Sequence, residues 1–438
     1  MSGPTRILAI ADSDSYVKWG AALLAQAPED WERTLLVLAS PVLPSSDQLD
    51  AALNGMDHLG APTIVDLSAL AVRISKTQPD VVLLSVRGPL VKVVVRAVVG
   101  AARVRPVIVS GLPGISIPAT RKAIAHRAQV DLFVLHSRRE TREFSALAER
   151  MGIRQIFGLA TLPFLPHKSP GQGQDGDVIF AAQAKVPWEK DDRLALLSWL
   201  AESARRHPYR RVVVKVRATR GEAQTHAERH DYADLMTELD PPAPQNLVVA
   251  GGAMSEHLAG AAALVTISST AAIEAIALDM PVVIIDDFGV SAALINTVFE
   301  GSGLFGNSAD IVEGRFKRPN RGWLEDNYFH GPDQDDWVHG IEDLLVQRAS
   351  GDFELKPLKH GAFGGVLRRA WDRKRALGRF DRSWSGSIAL VIGTPARWAL
   401  AVLRRLKRMM RKPAAARQDD EVLTTEQEDI SELVEQPR

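Results

Sequence analysis

The chain has 438 residues, with 53 basic and 53 acidic side chains and a formal net charge of zero. That length asks for two domains, and the charge balance argues against nucleic acid as the main partner. Cysteine is absent, which excludes disulfides and thiolate metal sites. The first residues lack the long apolar stretch of a secretory signal, and no uncharged apolar run is long enough for a bilayer, so a cytoplasmic location is expected.

In the first half, strands are predicted at Arg6–Ala11, Thr34–Ala39, Thr63–Leu67, Val81–Val86, Pro106–Ser110 and Leu132–His136. Helical patterns lie between them at Val17–Gln26, Leu67–Thr77, Val91–Ala102, Ile117–Arg127 and Arg139–Met151. Continuously apolar strands alternating with helices indicate an α/β domain with a parallel sheet covered on both faces. The loop Asp12-Ser13-Asp14-Ser15 follows the first strand and opens a helix. Either aspartate serves equally as a simple cap. Two carboxylates at a sheet's carboxyl edge also make Asp12 and Asp14 the candidate general bases for a hydroxyl nucleophile. Gly111-Leu112-Pro113-Gly114 follows the fifth strand; it is either a plain turn or, through Gly111 and Gly114, part of an acceptor pocket.

Residues 167–177 (HKSPGQGQDGD) read as a surface linker between a domain at 1–166 and a second at 178–350. There the pattern restarts, with strands at Val178–Ala182, Arg211–Val216, Asn246–Ala250, Leu264–Ile267 and Pro281–Ile285. Helices fit Asp191–Arg206, His230–Leu239, Ser255–Ala261 and Ala271–Leu278. Two doubly wound domains joined by a linker create a cleft between sheet edges, where ligands of such folds bind. Lys215 and Arg217, at a strand end, are either a solvated pair or cations that neutralise a leaving phosphate. In Gly251-Gly252-Ala253-Met254-Ser255 the glycines permit close approach to a flat ring, the backbone around Met254 can read a nucleobase edge, and Ser255 is expected to cap a helix. Ser268-Ser269-Thr270 places three hydroxyls at a helix start, where unpaired N–H groups favour a phosphate. Glu274 stands one turn on, within reach of ribose hydroxyls. The alternative is an ordinary N-capped α/β unit.

Beyond Gly289 the alternation weakens. Phe316–Asp336 reads as a long loop, Trp337–Arg348 as a helix and Leu358–Arg379 as a basic helix within an extension at 351–394. Residues 395–412 form a basic amphipathic helix pattern: Val402, Leu403, Leu406, Met409 and Met410 share one arc, with Trp398 and Ala399, and basic residues fill the other. It suits either an anionic membrane surface or packing on the protein's own first domain. Residues 413–438 read as a disordered acidic tail. No Walker lysine motif, GxGxxG after the first strand, HExxH or GxSxG occurs, which disfavours P-loop hydrolysis, hydride transfer, zinc hydrolysis and serine hydrolysis; no metal is expected.

The runs VVVKVRA (Val212–Ala218) and Asn246–Asp286, in that order and spacing, resemble the donor half of a GT-B glycosyltransferase. Within that fold they resemble bacterial capsule and cell-surface transferases using CMP- or CDP-activated donors, such as GT-B sialyltransferases, Kdo-type capsule transferases and CDP-glycerol glycerophosphotransferases. Those carry a strand ending in Lys-x-His-Pro and a later Ser-Ser or Ser-Thr pair at a helix start. Ser268, Ser269 and Thr270 match the second motif. Lys215 matches the first in part, since Arg217 and Ala218 stand where His-Pro would be. UDP-sugar transferases of the fold place a helix glutamate on the ribose, a role open to Glu274. The likeness spans Asp177–Leu345 and is architectural before it; the chain also resembles an actinobacterial group of glycosyltransferase-like proteins.

The resemblance implies two Rossmann-like domains facing each other across a cleft, with a nucleotide-sugar donor on the second. It implies a metal-independent transfer to a cell-surface glycan or lipid-linked acceptor, with Asp14 or Asp12 as base, at the inner face of the plasma membrane. No cofactor beyond the nucleotide-sugar substrate is implied. A 2-epimerase-like enzyme on the same fold, and a catalytically silent binding component of polysaccharide assembly, are the alternatives.

Overall fold

The computed structural model describes residues 3–56, 60–162, 165–166, 176–183, 186–216, 230–356 and 365–393. Of these, residues 3–162 and 330–393 form one compact unit and residues 165–329 another. Each is built on its own parallel sheet.

The first unit contains β1 (Arg6–Ala11), α1 (Asp14–Gln26), β2 (Glu32–Leu38), α2 (Ser46–Leu53), β3 (Thr63–Val65), α3 (Leu67–Thr77), β4 (Val81–Ser85), α4 (Gly88–Ala101), β5 (Val107–Gly111), α5 (Arg121–Arg127), β6 (Leu132–Leu135), α6 (Arg138–Arg150) and β7 (Ile156–Leu159). The strands order as β3-β2-β1-β4-β5-β6-β7, and Leu8 of β1 lies opposite both Thr34 and Val82. Side chains alternate across the sheet. Ile7, Ala9 and Ala11 join Val81 and Leu83 on one face, while Leu8 and Ile10 join Val82 and Leu84 on the other. Both faces carry helices, which is why the central positions of these strands are apolar whichever face they point to. The chain winds outward from β1 to β3 and restarts beyond β1 at β4. The carboxyl ends of β1 and β4 therefore flank a topological switch point, where open α/β sheets bind ligands.

The second unit contains β8 (Asp177–Ala181), α7 (Lys190–Arg206), β9 (Val212–Lys215), α8 (Tyr232–Met236), β10 (Leu247–Ala250), α9 (Met254–Ala259), β11 (Ala261–Thr266), α10 (Ala271–Ala277), β12 (Val282–Ile285), β13 (Phe305–Gly306), α11 (Ser308–Val312) and α12 (Arg321–Asp326). Its sheet orders as β10-β9-β8-β11-β12-β13. The equivalent switch point lies between β8 and β11. Phe180, Val214, Val265 and Val283 meet Leu196, Leu197 and Leu200 of α7 in the core.

The second unit ends at Phe329, and the chain returns to the first. There α13 (Trp337–Ser350) buries Trp337, Ile341 and Leu344 on the same sheet face as α1. Asp336 accepts the Leu159 N–H at 2.6 Å, and Asp335 accepts the Thr161 N–H at 2.7 Å. On the opposite face α14 (Val366–Leu377) packs on α4 through Ala376 and Leu377. A helix at 384–393 follows.

Some elements depart from the sequence pattern. The fifth helix begins at Arg121 rather than Ile117, because Thr120 caps it through the Ala123 N–H and Pro118 has none to give. The stretch Phe316–Asp336 is not all loop, since α12 lies within it. The basic segment 395–412 and the acidic tail 413–438 fall outside the described residues, as does most of the linker at 167–177. Among the described residues no helix is long and apolar enough to cross a membrane.

Candidate functional site

In the second unit the Ser-Ser-Thr turn follows β11 at the switch point. Thr266, the buried last residue of β11, donates from Oγ1 to the Ala181 carbonyl of β8 at 3.0 Å and accepts the Ser269 N–H at 3.2 Å. Ser268 sends both its N–H and its hydroxyl to Gln183 Oε1, at 3.0 and 2.9 Å. These bonds bridge the ends of β8 and β11. Ser268 is buried and its proton is committed to Gln183. Ser269 Oγ accepts the Ala271 N–H at 3.2 Å, which leaves its own proton available to a ligand. Thr270 is exposed and its hydroxyl does not cap α10. Ser269 and Thr270 are thus the two hydroxyls of the turn positioned to donate. Glu274 is half-buried one turn further along α10.

Gln183 is itself held by Arg193. This buried guanidinium donates to the carbonyls of Pro187 at 2.9 Å, His230 at 2.6 Å and Gln183 at 3.2 Å, and lies 4.9 Å from the Tyr232 ring centroid. A planar fork satisfying three carbonyls fixes the loop after β8 more firmly than one flexible ammonium would. Nothing local in the sequence marks Gln183 or Arg193 as part of this edge.

Lys215 ends β9, opposite Ala181 and Ala250. It is buried, not solvated, and its Nζ donates to the Val216 carbonyl at 2.5 Å. Arg217 lies outside the described residues. Gly252 has φ +88, a left-handed conformation that favours glycine. The Gly251 carbonyl accepts from His257 Nε2 at 2.7 Å, which folds the Gly-Gly turn back onto α9. Met254 is the first residue of α9, after the N-cap Ala253; Ser255 therefore sits inside the helix and does not cap it.

In the first unit Asp12 follows β1 and Arg87 follows β4. Asp12 Oδ1 accepts the Arg87 N–H at 3.0 Å, and Oδ2 accepts from Arg87 Nε at 2.7 Å. The pair spans the switch point. Burial pushes the Asp12 carboxyl above its ordinary range, against the opposing pull of Arg87. Its side chain has no exposed surface. Both Asp12 oxygens thus accept from Arg87, and the pair braces the edge. Asp14, the first residue of α1, is exposed with the Ser15 hydroxyl 3.5 Å away. Neither aspartate caps α1, whose N-cap is Ser13.

Gly111 ends β5. It is buried, and a Cβ there would strike the Trp19 ring and lie 2.7 Å from the Val134 carbonyl. Glycine admits Trp19 at this point. Gly114 is half-buried in the following loop, its carbonyl accepting the Ser116 hydroxyl at 3.1 Å. Beneath that loop Trp19 donates from Nε1 to His136 Nε2 at 2.7 Å, and His136 Nδ1 donates to the Ala160 carbonyl at 2.9 Å. Burial pushes His136 down to about 4, so the ring is neutral at pH 7 with its proton on Nδ1. Glu140 ties the same corner, accepting the N–H groups of Ser116 at 2.7 Å and His136 at 2.9 Å.

Residues 7–344 match the family described as "Putative glycosyltransferase (DUF6716)". The chain belongs to this family. The matched segment of the DUF6716 chain holds both switch points and ends before α14. No curated protein matches the chain. Among solved structures, a UDP-N-acetylglucosamine 2-epimerase is similar over 82% of this chain and 100% of its own, at 12% identity and a TM-score of 0.50. The UDP-GlcNAc 2-epimerase from Neisseria meningitidis, solved with UDP-GlcNAc bound, covers 79% of this chain and 100% of its own at 12% identity and a TM-score of 0.47. The apo UGT2 of Phytolacca americana covers 90% and 100% at 10% identity and a TM-score of 0.45. The first of these likenesses, at 12% identity and a TM-score of 0.50, concerns the fold alone: the DUF6716 chain is of the GT-B class, with two doubly wound Rossmann-like units.

Proposed function

We propose that this protein transfers a sugar from a nucleotide-activated donor to an acceptor hydroxyl on a cell-surface glycan or a lipid-linked acceptor, without a metal. The observation that carries this reading is the Ser-Ser-Thr turn at the β8/β11 switch point in a chain of a glycosyltransferase family. Ser269 and Thr270 donate to phosphate oxygens, while Ser268 and Gln183 hold the turn in shape. Lys215 and Arg217 offset charge on the departing nucleotide. The Gly251-Gly252 turn and the backbone of Met254 meet the base, and Glu274 accepts from ribose hydroxyls. Asp14 is the general base. It takes the acceptor proton as the acceptor oxygen attacks the anomeric carbon, and the nucleotide leaves with the electrons of the broken C–O bond, inverting the centre.

The Ser-Ser-Thr motif favours a CMP- or CDP-linked donor of the capsule-transferase kind. Arg217 and Ala218, in place of His-Pro, and Glu274 keep a UDP-linked donor in play. The work would be done at the inner face of the plasma membrane. A thermal-shift screen against CMP, CDP, UDP, GDP and their sugars tests the reading. A ligand at about a hundred times its Kd stabilises by roughly 2.7 kcal/mol, or several degrees for a unit of this size. One base should stand out, and its sugar should be consumed only when an acceptor is present. No response to any nucleotide defeats the proposal, and an epimer formed without acceptor favours the 2-epimerase alternative.

A further inference from the structure

A cavity of about 570 Å³ opens in the first unit between α3, α4 and α14. Leu67, Val93, Ala97 and Leu377 give it apolar walls, and Arg96, Arg369, Arg373 and Arg382 reach into it. Asp66 and Asp381 also line it, but both are engaged. Asp66 caps α3, accepting the N–H groups of Ser68 at 2.9 Å and Ala69 at 2.8 Å. Asp381 pairs with Arg373 at 3.1 Å, and Arg373 donates in addition to Ser385 Oγ at 3.1 Å. Four guanidiniums against two carboxylates leave positive charge in excess. Arg96 lines the cavity, and among the described residues its Nε is buried with no hydrogen-bond partner. Arg369 and Arg382 are exposed at the rim.

Beside the cavity, the helix at 384–393 turns Ala389 inward against Ala370 and Trp371 of α14. It turns Trp384, Ile388, Val391 and Ile392 outward, at 78%, 45%, 74% and 54% exposure. Their spacing puts all four on one face. An exposed apolar stripe headed by tryptophan and bordered by arginines has the chemistry of an interfacial membrane contact. The basic sequence 395–412, which has no acidic residue, follows directly in the chain.

We propose that this face docks on an anionic lipid surface, with a lipid headgroup phosphate held in the cavity by Arg96, Arg369 and Arg382 and the Trp384–Ile392 stripe set into the interfacial layer. Arginine suits the task because its fork matches phosphate oxygens in pairs. The proposal uses none of the residues assigned to the nucleotide, so it stands or falls separately from glycosyl transfer.

The test is flotation of the full chain with vesicles of phosphatidylglycerol and phosphatidylcholine, or of phosphatidylcholine alone. The parent should bind the anionic vesicles selectively and lose binding as salt rises. Arg369→Glu with Arg382→Glu, both at exposed positions, should weaken binding at least about 30-fold, the factor that two basic contacts near an anionic surface carry. Trp384→Ser with Ile388→Ser should weaken it as well. An unchanged thermal melt verifies that each variant is folded. Equal binding to both vesicle types would overturn the proposal. So would retention of binding after charge reversal in the cavity when glutamine at the basic positions of 395–412 abolishes it. Calorimetric binding of free glycerol phosphate without vesicle binding would reassign the cavity to a soluble ligand and overturn docking.

Discussion

Replacing His136 with glutamine removes a titrating group from the heart of the first unit while keeping one donor and one acceptor at its place. In the parent, burial holds His136 at about 4 against an ordinary value of 6.5. The folded chain therefore keeps the ring neutral down to about pH 4, whereas the unfolded chain takes up the proton near 6.5. The stability carried by the neutral ring is complete above pH 6.5 and is lost as pH falls toward 4. At 1.36 kcal/mol per unit, the loss comes to roughly 3 kcal/mol. The side chain is fully buried, so solvent screening takes little from that figure. Glutamine can donate to the Ala160 carbonyl and accept from Trp19 Nε1, and it does not titrate. Urea unfolding of both proteins from pH 7.5 to 4, followed by tryptophan fluorescence, measures the difference. The parent's advantage should shrink by about 3 kcal/mol over that range. A difference that stays constant with pH would refute the assignment of a neutral, proton-excluding His136.

Three further outcomes follow from the first unit. Arg87→Ala strands the buried Asp12 carboxylate and should cost about 3 kcal/mol, while Asp12→Asn combined with Arg87→Met should cost much less; equal losses in urea unfolding would deny the brace. Gly111→Ala drives a methyl into Trp19 and should destabilise by about 1–3 kcal/mol; Gly114→Ala, which meets nothing within 4 Å, should stay within about 0.5 kcal/mol. Asp14→Asn should lower kcat by about a hundredfold or more with little effect on stability, and a rate near the parent's would remove Asp14 from the chemistry.

The regular parts of both sheets are readable because their strands are centred on short apolar runs. β7 is not, since Ile156-Phe157-Gly158-Leu159 is short and its last residues are pinned by Asp336, 177 positions later. The candidate site is readable as a location but not as a set of roles. Asp12 and Asp14 look alike in one loop, and what separates them is Arg87, 75 positions away from Asp12. Ser268 and Thr270 look alike too, until Gln183 reaches Ser268 across 85 positions. Gly111 and Gly114 frame the same loop, yet only Gly111 has Trp19 beneath it. Local pattern reports where a chain turns; long-range packing decides which side chain of the turn is buried, braced or left to meet a ligand.

Isothermal titration of the nucleotide that stands out in the thermal screen, into the parent and into Ser269→Ala combined with Thr270→Ala, tests the central claim. Ser268 and Gln183 remain to hold the turn, so the variant should keep its melting temperature. Two hydroxyl bonds to a charged phosphate are each worth about 1.5 kcal/mol or more, so its Kd should rise by about a hundredfold or more. An unchanged Kd in a folded variant would contradict the account.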